Sequence, residues 1–168
     1  MKDIISINNI MSIKSIANTE LEAICKVNKD IYEYGITISK QDAKEMIITK
    51  KESLKKNGRV EFKGSIINEI IKKFVSSPYI YKSNYKDIFC ELIEIFYEYK
   101  NETMEVIGDE ELIDAMASYF NNYCHGSLEL LEGKVLYKIA ENVRMGNNNP
   151  LDIFDNKDEE DDYFWVRN

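Results

Sequence analysis

The chain has 168 residues, 44% of them hydrophobic, and a net charge of −8. Length and composition suit one globular domain with a real core, and the negative sum disfavours general affinity for nucleic acid or anionic membranes. Two prolines and seven glycines leave room for long helices, and no run approaches the roughly 20 apolar residues that cross a bilayer.

Residues 1–18 mix isoleucine with Asn and Ser and read as a marginal helix. Thr19 followed by Glu22 matches a capping box, which opens a helix carrying Leu21, Ile24, Ile31 and Tyr34 and ending at Gly35. Ser39 with Asp42 repeats the pattern for a helix that stops at Asn57-Gly58. Segments 36–38 and 59–63 are β-branched or alternating, so at most a tiny two-stranded element is expected between them. Ile66, Ile67, Ile70, Ile71 and Phe74 mark the next helix, which ends before Ser76-Ser77-Pro78.

The strongest signal lies at 84–100. Tyr85, Ile88, Phe89, Leu92, Ile93, Phe96 and Tyr99 recur at three- and four-residue steps, with Asn84 as the cap and this helix at the centre. Asp109, Glu110 and Glu111 open another helix at its positive end. Ser127 caps a last one carrying Leu128, Leu131, Val135, Ile139 and Val143, closed by Gly146. The expected fold class is therefore all-α, a compact bundle of about six helices. The expected organisation is an N-terminal segment at 1–18, a helical domain at 19–146 and an acidic tail at 147–168 ending in aromatics.

Three strings in order, Gly58-Arg59-Val60-Glu61-Phe62, Ser77-Pro78-Tyr79-Ile80 and Gly126-Ser127-Leu128-Glu129, resemble a family of small helical bacterial proteins known only as a domain of unknown function. The resemblance covers about residues 19–143. It implies a cytoplasmic bacterial protein and supplies no activity, cofactor or catalytic residue. Cysteine usage agrees on the compartment. Cys25, Cys90 and Cys124 are odd in number and far apart, and the start lacks a basic leader with a long apolar run, so reduced thiols in a cytoplasmic chain are expected.

No segment names a reaction. His125 follows Cys124, but one Cys-His pair is half a zinc site, and a lone histidine cannot supply a di-iron bundle. There is no nucleophile elbow and no phosphate-binding glycine loop. The carboxylates Glu91, Glu94 and Glu98 share one helix face, the usual pattern of a solvated side. No cofactor and no metal are expected.

Charge is segregated. Residues 40–73 hold ten basic against five acidic side chains, and Lys40, Lys44, Lys51 and Lys55 fall within an arc of about 60°. That strip, with Arg59 and the nearby Tyr79 and Tyr81, is the candidate partner surface; the bland alternative is lysine stems lying over the edge of the core. Arg59, Glu61 and His125 are the candidate polar groups of any pocket. The tail holds seven acids beside Phe164 and Trp165, which suggests docking onto the basic strip within the same chain. The leading functional expectation is a non-catalytic interaction or adaptor protein that binds another protein. A small-molecule-binding or enzymatic bundle is the alternative, and a nucleic-acid-associated regulator is third.

Overall fold

The computed structural model describes residues 18–61 and 66–154. The expected marginal helix at 1–18 and the tail aromatics Phe164 and Trp165 lie outside the described residues, apart from Asn18. Among the described residues the fold is all-α, with six helices and no strand.

The described part of helix α1 covers 18–31 and passes through a 3₁₀ turn, Tyr32–Tyr34, to Gly35 at φ 74°. It corrects the expected cap: residues 18 and 19 are already helical, so Thr19 does not initiate it. Helix α2 is Lys40–Lys56, and here the sequence signal holds, because Ser39 Oγ accepts from the Asp42 N–H at 3.1 Å. Helix α3 is Ile66–Phe74, α4 is Tyr85–Glu102 and α5 is Asp109–Asn122. Helix α6 begins as Leu128–Leu130 behind the Ser127 cap, widens into a π-helix over Leu131–Leu136 and returns to α over Tyr137–Arg144.

Among the described residues the tiny sheet does not form. Ile38, its obvious first strand residue, gives its N–H to Asn28 Oδ1 at 2.7 Å and its carbonyl to Asn28 Nδ2 at 2.9 Å. One asparagine on α1 thus satisfies both backbone groups that a partner strand would need. On the other side the Arg59 N–H bonds Leu54 O at 2.8 Å, a helix-ending turn through Gly58 at φ 64° rather than a ladder.

Helix α4 is the axle. It packs against α2, α3, α5 and the start of α6, and its Phe89, Leu92, Ile93, Phe96 and Tyr97 are all within 1% of full burial. Each such side chain stabilises the fold by about 1.5–3 kcal/mol relative to exposure. Helix α1 closes the side formed by α2 and α3 through Ile24, Val27 and Ile31, and through a buried ion pair, Lys50 Nζ to Glu20 Oε1 at 2.7 Å. Asn84 precedes α4 without capping it. Its side chain instead accepts from the Tyr81 N–H at 2.8 Å and donates to Tyr79 O at 3.0 Å, which locks the turn leading in.

After α6 the chain folds back. Asn142 Nδ2 donates to Pro150 O at 3.1 Å, Tyr119 Oη donates to Leu151 O at 2.6 Å, and Phe154 packs edge-on to Tyr123. Residues 147–154, expected to open the tail as a linker, are therefore built onto α5 and α6.

Candidate functional site

Three sequence features meet in one cleft. Helix α2 ends at Lys56, and its Gly58 turn delivers Arg59, Val60 and Glu61 to the mouth of a depression about 580 Å³ in volume. Helix α4 supplies Tyr97 and Lys100, and the first turn of α5 supplies Asp109 and Glu110. Phe96, Ile66 and Glu69 complete the lining. The volume falls in the range of small-molecule sites, roughly 300–1,000 Å³.

The floor carries two polar side chains that the apolar stripe of α4 has drawn inside. Lys100 lies eleven residues beyond Phe89, about 20° from it around the helix, so its stem follows the buried face. It is 6% exposed, donates to Ile107 O and pairs with Asp109 Oδ1 at 2.8 Å. Those bonds hold the connection between α4 and α5. Tyr97 is 1% exposed, and its hydroxyl lies beside the Glu61 carboxylate without a well-aligned hydrogen bond. Burial first, and then the nearby Glu61 carboxylate, hold the phenol well above its ordinary pKa, so it stays protonated and remains a donor.

Arg59 is the third element. Its Nη2 pairs with Glu105 Oε1 at 3.0 Å, while its Nη1 is buried without a partner. Glu105 is held out by a turn in which Met104 and Glu105 both take positive φ, 52° and 58°. Two adjacent left-handed residues with side chains cost about 1–2 kcal/mol each. Strain of this kind collects where a fold holds a particular side chain in place. Among the described residues, three buried side-chain polar atoms lack a hydrogen-bond partner: Arg59 Nη1, Asn68 Oδ1 and Tyr97 Oη. Two of those three residues line this cleft.

A shallower depression of about 320 Å³ adjoins the cleft through Glu69 and Glu110. Its lysines are engaged, Lys73 with Asp114 at 2.6 Å and Lys72 with Asp30 at 3.4 Å. It therefore offers little chemistry of its own.

The remaining candidates are scattered. His125 is exposed at φ 49°, with Nδ1 3.3 Å from Tyr79 Oη, whereas Cys124 is 2% exposed. The pair straddles the surface and does not face a common point. Burial raises the Cys124 and Cys90 thiols, which makes both poor nucleophiles. Tyr79 is not a free surface ring: it packs edge-on against Phe120, with centroids 6.1 Å apart, and against Gly126. Tyr81 is 56% exposed. Lys40, Lys44, Lys51 and Lys55 are exposed, and none forms an ion pair among the described residues. Arg59 leaves that strip for the cleft.

Tyr97, Lys100, Asp109 and Glu110 were not singled out as site residues from the sequence. The available signal was a lysine on the buried stripe of the most apolar helix, which demands an internal partner.

The fold and cleft define an all-α bundle with a polar depression where the end of α2 meets α4 and α5. The chain belongs to a family of unknown function, DUF6323, whose model matches residues 23–149. No curated protein and no solved structure matches the chain. Among the described residues no helix is long and apolar enough to cross a membrane.

Proposed function

We propose that this chain is a ligand-binding domain that holds a small polar molecule in the cleft between Arg59, Tyr97 and Lys100. The observation that carries the reading is Arg59 Nη1, buried with no hydrogen-bond partner in the lining of a depression that also holds the Tyr97 hydroxyl and, beside it, the Glu61 carboxylate. A buried donor left unsatisfied costs about 1–3 kcal/mol. One in the lining of a concavity is well explained by an acceptor that arrives from outside. Three free thiols, Cys25, Cys90 and Cys124, support a reducing, cytoplasmic setting.

The test is recovery. The full chain is incubated with a metabolite extract, washed, denatured and its released compounds identified by mass spectrometry, beside a Tyr97→Phe variant. Enrichment of a small polar compound on the parent alone supports the reading. Identical recovery from both proteins overturns it.

A second reading is an interaction module that docks an acidic protein on Lys40, Lys44, Lys51 and Lys55. Its support is the exposure of all four without an ion pair, in a chain whose net charge is −8. Charge reversal at Lys44 and Lys51 abolishes partner capture under that reading and leaves the cleft untouched.

A further inference from the structure

Helix α2 has an outer face that combines unpaired charge with exposed apolar surface. At about 100° per residue from Lys40, its Lys51, Lys44 and Lys55 fall at about 20°, 40° and 60°, and Ile48 follows at about 80°. The four lysines are exposed without an ion pair among the described residues, and Ile48, between Lys44 and Lys51 in sequence, is 53% exposed. The carboxylates of the helix stand at the margin, Glu52 at about 120° and Glu45 at about 140°. Glu45 is held there by Lys86 at 2.9 Å. Residues 1–17 hold Lys2, Lys14 and Asp3, and Lys63 is the sole charged residue of 62–65, so neither stretch brings surplus acid to the strip. Four unpaired lysines beside an exposed isoleucine fit an acidic segment that also carries an apolar ring.

Residues 155–168 have that composition. They hold six acidic against two basic side chains, and Asp158 to Asp162 is an unbroken acidic run. Tyr163, Phe164 and Trp165 follow it directly, and no other acidic run in the chain exceeds three residues.

The fold also starts this segment at the right end of the bundle. Phe154 packs on Tyr119 and Tyr123 where α5 ends. Phe120 beside them meets Tyr79 edge-on, and the Tyr79 carbonyl accepts from Asn84. Tyr85, the first residue of α4, donates to Asp42 in the first turn of α2. Residue 155 therefore follows on at the end where α2 begins. Fourteen residues reach about 46 Å when extended, whereas Lys40 to Lys55 spans about 22 Å along the helix.

We propose that residues 155–168 dock on this face of α2, with the acids on Lys40, Lys44, Lys51 and Lys55 and the Phe164–Trp165 pair against Ile48. The docking is independent of any ligand in the cleft. It shares only its strip with the second reading above, and an acidic protein must displace the tail to reach those lysines.

Trp165 is the sole tryptophan, so tryptophan emission from the full chain reports its surroundings alone. In dilute buffer that emission is expected to lie to the blue of a synthetic peptide spanning 155–168. It moves onto the peptide as NaCl rises from about 0.02 to 0.5 M, with helical circular dichroism unchanged. Lys44→Glu with Lys51→Glu produces the same red shift without salt, and Ile48→Asn produces part of it. Emission equal to that of the peptide in dilute buffer overturns the proposal. A blue shift that survives the double reversal places the ring on another surface and overturns it as well. A blue shift that vanishes when the protein is diluted assigns the tail to a second copy and overturns docking within one chain. Capture of an acidic protein that the double reversal abolishes, with Trp165 at the peptide wavelength throughout, excludes the tail and leaves the strip to an outside partner. Loss of the blue shift on reversal, with no partner captured by either protein, supports the tail and removes the second reading.

Discussion

Replacing Tyr97 by phenylalanine deletes one oxygen from a ring that is 1% exposed and keeps every carbon contact. In most buried tyrosines that change costs stability, because a hydrogen bond is lost. Here the hydroxyl has no well-aligned partner, so the change removes a desolvation penalty of about 1–3 kcal/mol. The vacated volume is one oxygen atom, and the cavity offsets only part of the gain. Without ligand, Tyr97→Phe is expected to be about 1 kcal/mol more stable than the parent, raising Tm by about 2–4 °C in a chain of this size. The pH dependence carries a second signature. The folded phenol titrates above the ordinary 10.0, so the parent holds a proton that the unfolded chain releases. That contribution is complete below pH 10 and fades as pH rises beyond it. The variant lacks the group, so its advantage grows above pH 10. Urea unfolding followed by circular dichroism, at pH 7 and in alkaline buffer, measures both. A loss of 1 kcal/mol or more at pH 7 would mean that the hydroxyl is bonded to Glu61 in solution, and the argument for an unmet donor in the cleft would be refuted.

Gly126 sits at φ +83°, and a Cβ there falls 2.5 Å from Tyr79 Cγ. Gly126→Ala is expected to cost about 3 kcal/mol, from backbone strain and overpacking together. Gly146→Ala, at φ +70° with nothing within 4 Å, costs about 1 kcal/mol, and equal losses in thermal unfolding would contradict the contact. The Lys50–Glu20 pair has side chains 6% and 9% exposed. Glu20→Ala strands a buried ammonium at a cost of about 3 kcal/mol, whereas Glu20→Leu with Lys50→Met recovers most of it; additive losses in that double-mutant cycle would show the two charges are uncoupled. Burial and the neighbouring Glu98 and Glu94 raise the pKa of Glu132. Its contribution to stability is present below the ordinary 4.5 and is lost as pH rises through the raised value. Glu132→Gln should thus gain over the parent from pH 4 to pH 7, and a Tm difference that stays constant with pH would oppose the assignment.

The apolar stripes at 66–75 and 84–100 are strong because three- and four-residue steps alternate, which keeps side chains on one face at α pitch. Ser39 and Ser127 read correctly as caps because their oxygens reach an N–H three residues on, with no tertiary competitor. Thr19 and Asn84 matched the same pattern and failed, since a motif states what a side chain is able to bond and not what else lies nearby. Asn28 was invisible for a similar reason: nothing local marks an asparagine that will satisfy Ile38 ten residues away. Arg59 and Glu61 could be named as polar candidates beside a glycine turn. Tyr97 and Lys100 disappeared into the stripe, because periodicity sorts residues by face and reports nothing about a polar atom trapped on the inner one.

Helix α6 spaces its inward residues Leu131, Val135, Ile139 and Val143 by four each time. At ordinary pitch each step of four overshoots by about 40°, which would turn the last of them about 120° away from the first. The wide turns of Leu131–Leu136 absorb that drift. A single-residue change in length therefore has a natural home in this helix. A variant one residue shorter between 131 and 136 would run as plain α-helix and still seat the segment carrying Asn142 against Pro150, without redrawing the interior.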